Sequence, residues 1–379
     1  MHICVFNVSR EMKRLTNRLR KMTEWVKKEN IDVAFITSSD NVFYLTGFNC
    51  HPHERLLGLA IFQDAEPFIV CPAMEKQDAI NAGWDFEVVG YNDTDPVWDM
   101  VKQAITKRVQ TPSTWAIEKN QFPVSRYEEV TSRFAVGTFI NAEDQLNQLR
   151  LIKDEKEIAA LRQACEIADF AIEVGMNEIT EGKTELDIVA AIEYEVKKKG
   201  VTGMSFATTV LAGANAASPH GNPGLTKVKK GDFVLFDLGV IYDGYCSDIT
   251  RTIAYGDISD QQLEVYETVR KAEETALQLS KPGITAMELD LAARKVIEDA
   301  GYGEYFTHRL GHGLGISVHE FPSITSTNQL KLVENMVYTI EPGIYIPNQV
   351  GVRIEDDVII TKDGAESLTQ FPKTLQIVK

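Results

Sequence analysis

Apolar and polar positions along the first third of the chain alternate in the way that short helices and strands do. A basic segment from about residue 11 to 30 has apolar residues at helical spacing, namely Leu15, Leu19, Met22 and Val26. The apolar run at 31–37, IDVAFIT, is typical of a strand, and helix-like and strand-like segments then alternate to about residue 140. This alternation predicts an α/β domain that ends near residue 145.

Beyond residue 146 the pattern predicts longer helices. The segment from Asp154 to Glu173 has one apolar face, formed by Ile158, Leu161, Cys165, Ala168 and Ile172. Residues 182–200 and 283–301 both run eighteen positions from glycine to glycine. Because a threonine stands two positions into each, we expect a helix with a threonine N-cap and a C-terminal glycine in both.

Two predicted helix starts have the sequence pattern of a capping box, one of them in residues 283–301. Thr285 with Glu288, and Ser259 with Gln262, have the spacing of a capping box. The second part of the chain therefore looks like a duplicated unit, in which helices precede an acid-bearing pair of strands.

The first acid-bearing stretch lies around the turn 242–245, YDGY. Asp-Gly between apolar runs indicates a β-hairpin. Each arm has one carboxylate in apolar company, Asp237 and Asp248, eleven residues apart. A hairpin would bring the two together, and buried carboxylates are costly unless they are paired or bound to a metal. Taken alone, the two could equally be solvated strand aspartates.

The same layout occurs again near the C-terminal end. The segment 337–343, VYTIEPG, repeats the order of 233–239, FVLFDLG: four residues, a carboxylate, one residue and a glycine. Glu355 follows Glu341 by fourteen positions, inside another strand-like run. Four acids in a duplicated layout, with a histidine supplied from elsewhere, predict a site for two divalent cations.

Four histidines lie close to these acids in the sequence. His220 precedes the first acid-bearing stretch, and His308, His312 and His319 fall within twelve glycine-rich residues before the second. Glycines on both sides of His312 would let the backbone approach a ligand closely. Such a cluster indicates a functional site rather than isolated core histidines.

Composition narrows the class of protein. The 379 residues, with 44% apolar and 25% charged side chains, suffice for two globular domains. A net charge of −16 argues against nucleic acid or an anionic membrane as a partner. The five cysteines have no paired spacing and predict free thiols in a reducing compartment. The apolar run at 1–6 is too short for a signal peptide and no run could span a bilayer, so we expect a cytoplasmic protein.

These motifs resemble the metallopeptidase family of prolidase, aminopeptidase P and methionine aminopeptidase, which has the pita-bread fold. The resemblance covers nearly the whole chain and implies an α+β protein. A smaller creatinase/prolidase-type α/β domain would occupy residues 1–145, and a pita-bread catalytic domain with an internal pseudo-two-fold repeat would occupy 146–379. The family's ligand order of Asp, Asp, His, Glu and Glu is matched in full, by Asp237, Asp248, His312, Glu341 and Glu355.

The resemblance also implies what these five residues do. Asp237 would hold one cation, His312 and Glu341 the other, and Asp248 and Glu355 would bridge the two. Oxygen-rich ligation with one imidazole favours Mn²⁺, although Co²⁺ or Zn²⁺ would also be accepted. Such cations activate water and polarise the scissile carbonyl. Glu341 would relay the proton to the leaving nitrogen.

Further matches concern the substrate. His220 and His319 match family histidines that contact the substrate and stabilise the oxyanion. His308 and Arg353 match residues of the proline-directed branch. Arg353 could instead be an outer partner of Glu355 that does not touch substrate.

The segment 52–57, PHERLL, resembles the loop of bacterial prolidases that reaches across a dimer towards the partner's active site. There a loop histidine and an arginine help to restrict substrates to dipeptides, and the matching residues are His53 and Arg309. His51 stands where some relatives have an acid, so the match does not fix the role of charge in this loop. A guanidinium beside the free carboxylate of a dipeptide would gain a charge-assisted hydrogen bond. Arg309 could instead only balance the acidic cluster.

The resulting prediction is a homodimeric, dinuclear metal-dependent Xaa-Pro dipeptidase that hydrolyses dipeptides with a C-terminal proline. Aminopeptidase P, which acts on longer peptides, is the alternative within the family. A non-peptidase hydrolase or lyase of the same fold, or a binding module without catalysis, is less favoured because such members lose ligands that this chain keeps.

Overall fold

The computed structural model describes residues 16–379. The predictions for residues 1–6 and 11–15, including Cys4 and Leu15, therefore lie outside the described residues. The chain divides into two compact units, Met1–Leu149 and Arg150–Lys379.

The N-terminal unit is built on a mixed six-stranded sheet with the strand order β4-β3-β2-β1-β5-β6. The strands are β1 (Val33–Ile36), β2 (Gly58–Ile61), β3 (Phe68–Pro72), β4 (Glu87–Tyr91), β5 (Thr114–Ile117) and β6 (Thr138–Asn141). Strand β1 pairs antiparallel with β2 and parallel with β5. All four residues of β1 are buried, which is why the sequence shows a continuous apolar run here rather than an alternating one.

From residue 16 onward, six helices alternate with these strands or follow them. They are α1 (Asn17–Lys28), α2 (Ser39–Thr46), α3 (Lys76–Asn81), α4 (Val97–Thr106), α5 (Val124–Arg133) and α6 (Glu143–Leu151). Thr16 caps α1 by accepting a hydrogen bond from the Leu19 backbone, and the helix buries Leu19, Met22 and Val26 as its spacing predicts.

The second unit consists of two similar halves, each a pair of helices packed on a mainly antiparallel sheet. Its helices are α7 (Glu155–Asn177), α8 (Glu185–Lys197), α9 (Asp260–Leu279) and α10 (Ala286–Asp299). All four begin at a capping box, with N-caps at Asp154, Thr184, Ser259 and Thr285. The predicted caps are therefore confirmed. One apolar core lies under α7 and α8 and the other under α9 and α10.

The sheet of the first half has the order β20-β12-β9-β8, beside a smaller sheet β11-β10-β7. Its strands are β7 (Gly203–Met204), β8 (Thr209–Ala212), β9 (Phe233–Leu238), β10 (Val240–Tyr242), β11 (Tyr245–Cys246) and β12 (Ile249–Tyr255), with β20 (Ile377–Val378) from the C-terminal end. The second half has the order β14-β13-β15-β18-β19, beside the pair β16-β17. Its strands are β13 (Gly311–Gly313), β14 (Glu320–Ile324), β15 (Val337–Ile340), β16 (Gly343–Ile346), β17 (Val350–Arg353), β18 (Asp356–Ile360) and β19 (Ala365–Ser367).

Both acid-bearing stretches are hairpins that change sheets half-way. In the first, β9 pairs with β12 and β10 with β11, around a turn in which Asp243 and Gly244 both have positive φ, 49° and 80°. In the second, β15 pairs with β18 and β16 with β17. The hairpin prediction is confirmed, but each arm is two strands rather than one. Gly239 permits the break in the first stretch, because a Cβ there would lie 1.8 Å from the Ser247 carbonyl oxygen.

The glycines beside His312 serve a different purpose from the predicted one. His312 lies in the short strand β13 rather than in a loop. A Cβ at Gly311 would lie 1.9 Å from the Thr339 carbonyl oxygen, and one at Gly313 would lie 2.3 Å from that of Phe321. These glycines therefore let β13 fit between its neighbouring strands, and the expectation that they admit a ligand is corrected.

No helix within residues 16–379 is long and apolar enough to cross a membrane. The four cysteines in this range, at positions 50, 71, 165 and 246, are all free and buried.

Candidate metal centre and substrate cavity

A cavity of about 650 Å³ in the second unit collects the predicted site residues of that unit. Its lining includes Asp237, Asp248, His312, Glu341, Glu355, His220, His308, His319, Arg309 and Arg353. The volume lies within the range of small-ligand sites. The sheet changes explain why the acids meet here. Asp248, Glu341 and Glu355 each lie between two consecutive strands of a hairpin arm. Asp237 is the last residue but one of β9.

Three of the other four predicted ligands, Asp248, Glu341 and Glu355, lie within a few ångströms of the His312 ring. His312 Nε2 is 3.7 Å from Asp248 Oδ2 and 3.4 Å from Glu341 Oε1. One ligand atom each from Asp248, His312 and Glu355 lies within 4.8 Å of the others. His312 Nδ1 is 3.1 Å from the Gly313 carbonyl oxygen, which can only accept, so Nδ1 carries the proton and Nε2 presents its lone pair to the acids.

Burial makes this group of acids costly without a cation. Asp248 and Glu355 are 4% and 2% exposed, and Asp248 Oδ1 and Glu355 Oε1 have no hydrogen-bond partner among the described residues. Burial and mutual repulsion hold the pKa of both carboxyls well above the usual range. Burial raises the pKa of Glu341 to about 7, although Arg353 opposes the shift. Carboxylate oxygens without a hydrogen-bond partner, beside an unprotonated imidazole nitrogen, are suitable ligands for a divalent cation.

Arg353 and Thr250 fix the orientation of the acids. Arg353 pairs with Asp237 through Nη2, and its Nε donates to Thr250 Oγ1 at 3.0 Å. The Thr250 hydroxyl in turn donates to Glu355 Oε2 at 2.6 Å, which leaves Oε1 as the free oxygen of that carboxylate. Glu355 also donates its backbone N–H to the Thr250 carbonyl, which links the two halves of the unit.

His308 is held as a neutral imidazole. Burial and the charge of Arg353 lower its pKa to about 4. Its Nδ1 lies 2.8 Å from the Arg309 carbonyl oxygen and must donate to it, so Nε2 accepts from the Tyr345 hydroxyl at 2.9 Å. The same hydroxyl accepts from Arg353 Nη1 at 2.7 Å. Tyr345 thus joins His308 to the arginine that holds Asp237.

The remaining predicted residues face the cavity with freer side chains. The ring of His319 packs against that of His312, with centroids 4.2 Å apart, and burial and Arg309 lower its pKa. His220 is exposed on the segment after β8. Arg309 donates to Ser323 Oγ at 3.2 Å and makes no carboxylate pair among the described residues, so its charge is available to an anionic ligand.

Known families match almost the whole chain. Residues 159–362 match Metallopeptidase family M24, and residues 18–152 match the Creatinase/Prolidase N-terminal domain. The chain belongs to metallopeptidase family M24. The prediction of a creatinase/prolidase-type domain followed by a pita-bread catalytic domain is thereby confirmed.

The M24 metallopeptidase is similar over most of its length to several relatives. It is 55% identical over 362 residues to a putative dipeptidase, YkvY, of Bacillus subtilis, covering 96% of this chain and all of that one. It is 46% identical to an Xaa-Pro dipeptidase of Lactobacillus delbrueckii, and the match covers 95% of this chain and 98% of that one. A prolidase structure from Pyrococcus horikoshii superposes with a TM-score of 0.88 at 38% identity, covering 95% and 100%.

The two loop histidines are not part of the group that lines the cavity. His51 and His53 are exposed side chains of the N-terminal unit, and His53 has a positive φ of 58°. Their part in restricting substrates, like the individual role of each cavity residue, stays a prediction.

Two residues of the metallopeptidase's cavity region were not predicted from the sequence. Tyr345 stands in β16 among apolar residues, and Asp357 in β18 accepts the Asp248 backbone N–H at 2.9 Å through a buried carboxylate. A polar group inside an otherwise apolar strand was the available signal for both. This signal does not identify the hydrogen-bond partner of either residue, because the partners lie 37 and 109 residues away in the sequence.

Proposed function

We propose that this metallopeptidase is an Xaa-Pro dipeptidase that hydrolyses the imide bond of dipeptides with a C-terminal proline. The observation that carries the proposal is the single cavity in which four carboxylates, three further imidazoles and two guanidiniums surround His312. A 46% identical relative named as an Xaa-Pro dipeptidase and a prolidase structure with a TM-score of 0.88 support it.

Five residues would hold two divalent cations. Asp237 would hold one, His312 and Glu341 would hold the other, and Asp248 and Glu355 would contribute to holding both. The oxygen-rich set with one imidazole favours Mn²⁺ and also accepts Co²⁺ or Zn²⁺. When bound, the cations supply a nucleophile from water at neutral pH and polarise the scissile carbonyl.

The other cavity residues handle protons and the substrate. Glu341, whose Oε1 accepts from Thr339 Oγ1 at 3.4 Å, takes a proton from the attacking water and passes it to the leaving nitrogen. His319 and His220 donate to the oxygen on which charge develops. His308, held neutral by burial, lines the cavity with its Nε2 hydrogen-bonded to Tyr345.

Arg309 supports the restriction to dipeptides. Its guanidinium faces the cavity without a carboxylate partner among residues 16–379 and suits the free carboxylate of a C-terminal proline. A longer peptide has no carboxylate at that position. His51 and His53 would add to this restriction from a partner subunit, which makes a homodimer part of the proposal. Four free thiols in the described chain suit a reducing, cytoplasmic location.

The test compares Ala-Pro with Ala-Pro-Ala after chelation and readdition of Mn²⁺. We expect Ala-Pro to have the higher kcat/KM, and Arg309→Ala to weaken Ala-Pro hydrolysis more than tripeptide hydrolysis. Preference for the tripeptide would instead identify an aminopeptidase P. Turnover of a small non-peptide substrate without any Xaa-Pro cleavage would point to another hydrolase or a lyase of this fold.

A further inference from the structure

The segment that carries His220 forms an arch over the cavity. Residues 212–224, here called the His220 arch, leave the end of β8 and return before the chain enters β9. Four consecutive residues of the arch line the cavity: Pro219, His220, Gly221 and Asn222. The arch has only a short 3₁₀ turn, Gly213–Ala217, as regular structure. Its internal backbone hydrogen bonds, from the Ser218 N–H to the Asn215 carbonyl and from the Gly221 N–H to the Ser218 carbonyl, close local turns but do not tie the arch to the rest of the chain.

One buried carboxylate ties the two ends of the arch together. Glu185 Oε1 accepts the backbone N–H of Ala212 at 2.8 Å and the side-chain amide of Asn215 at 3.0 Å. Its other oxygen, Oε2, accepts the backbone N–H of Gly224 at 2.8 Å. The side chain is fully buried, so solvent does not compete for these bonds.

The helix that supplies Glu185 is firmly placed. Glu185 is the first residue of α8, directly after the capping residue Thr184. On its inner face α8 buries Ile188, Ile192 and Val196 in the core of the first half. A carboxylate at a helix N-terminus also interacts favourably with the helix dipole. The arch is therefore fastened to an element that packs against the sheet carrying Asp237.

We propose that Glu185 is a positioning residue, which holds His220 over the substrate by fixing both ends of the arch. This inference rests on the proposed function, because the reaction that His220 serves is the hydrolysis proposed above. Glu185 does not line the cavity or touch the predicted ligands, so it acts only through the arch.

The fold does not depend on this carboxylate alone. Strand β8 pairs with β9 over four residues, and the backbone N–H groups of Glu185 and Leu186 donate to Thr226 and Gly224. Loss of the carboxylate would keep the neighbouring strand pairing but would hold the two ends of the arch less firmly, with one or two buried N–H groups unpaired. The arch would then sample several positions, and a displacement of about 1 Å suffices to slow a reaction by about 100-fold.

The experiment compares Glu185→Gln with wild type and with a matched control on the same helix turn. The amide cannot accept from both ends of the arch, whereas Asp187→Asn disturbs only the exposed capping interaction with Thr184. For Glu185→Gln we expect kcat/KM for Ala-Pro to fall at least about tenfold, with unchanged bound Mn²⁺. Amide hydrogen exchange should quicken in residues 212–224. The Asp187→Asn enzyme should keep wild-type activity and arch exchange.

A double-mutant cycle separates positioning from a general loss of structure. If Glu185 acts through His220, Glu185→Gln should change kcat/KM less than about twofold when His220 is already alanine. An equal loss in both backgrounds would overturn the proposal, and so would unchanged exchange in the arch. Asn215→Ala, at an exposed position, removes one of the three bonds and should give a smaller effect of the same kind.

The two proposals fail in different ways. If the wild-type enzyme does not hydrolyse Ala-Pro, the proposed function is wrong, whereas hydrogen exchange in Glu185→Gln still decides whether the carboxylate fixes the arch. If Ala-Pro is hydrolysed but Glu185→Gln matches wild type in rate and exchange, only the positioning role is wrong.

Discussion

Tyr345 joins two charged or polar side chains of the cavity through one hydroxyl. It donates to His308 and accepts from Arg353, and burial raises its pKa to about 12. The hydroxyl therefore stays protonated near neutral pH, where His308 is neutral and both bonds are present. Removing it would leave two buried polar groups without their partner.

Tyr345→Phe should therefore lower both stability and activity. We expect a loss of about 1–3 kcal/mol in the free energy of unfolding, because His308 Nε2 and Arg353 Nη1 each lose a bond. We also expect a fall of about tenfold in kcat/KM. Tyr338→Phe is the matched control: its buried hydroxyl donates to Ser280 at 2.7 Å, away from the cavity lining. Equal activity losses in both variants would argue against a specific role for Tyr345.

Variants of His319 and of the two acids proposed to bridge the cations should separate metal binding from catalysis. Asp248→Ala or Glu355→Ala removes a proposed ligand of both cations, so activity and bound metal should disappear together. His319→Ala should keep the metal and lower kcat, because this ring contacts His312 without being a proposed ligand. Metal analysis of the purified variants and their steady-state rates check both expectations. Full activity in Asp248→Ala would refute the bridging assignment.

At the scale of elements, the segment after β13 that carries His319 is fastened by a buried ion cluster. Glu320 pairs with Arg150, and its other oxygen lies 3.3 Å from Lys153 Nζ. Burial alone would raise the pKa of Glu320, but Lys153 and Arg150 outweigh it and lower the pKa to about 2. The ionised form is thus favoured in the folded protein relative to an ordinary glutamate.

This shift predicts how stability depends on pH. Because the folded pKa lies below the unfolded value of 4.5, the contribution of Glu320 is complete above pH 4.5 and is lost as the pH falls towards 2. Glu320→Gln should cost about 3 kcal/mol at pH 7, and the difference from wild type should roughly halve by pH 3.

Urea unfolding at the two pH values measures this difference. Glu366→Gln is the control, because its ion pair with Arg162 is half exposed and should contribute less than about 1 kcal/mol. A difference between Glu320→Gln and wild type that does not change with pH would contradict the assignment of the ion cluster.

At the scale of the whole molecule, the cavity brings together four carboxylates whose repulsion bound cations would relieve. A ligand that binds the folded state alone stabilises it by mass action, by about 2.7 kcal/mol at 100 times its Kd. We therefore expect Mn²⁺ to raise the unfolding temperature of the chelated protein. The Asp248→Ala variant should lack this increase. Calorimetry with and without Mn²⁺ checks both, and an equal increase in the variant would place the stabilising ion elsewhere.

The sequence alone was sufficient for local structure and for the family. Thr184, Ser259 and Thr285 begin helices as expected, because a cap depends on residues three positions apart. The Asp243-Gly244 turn forms because two residues with positive φ are nearly specified by that dipeptide. The repeated strand, acid and glycine layout predicted a site for two cations, and the resemblance to a known family implied a metallopeptidase, since each ligand has its own local sequence.

Only the tertiary structure decided which distant residues meet. The sheet change in the first hairpin arises where Gly239 lies against Ser247, and Gly311 and Gly313 are required by neighbouring strands rather than by a ligand. The bonds of Tyr345 to His308 and of Glu185 to the His220 arch join residues 27 to 39 positions apart. Such contacts depend on how strands pair and helices pack, and a pattern read over a few neighbouring residues carries no information about them.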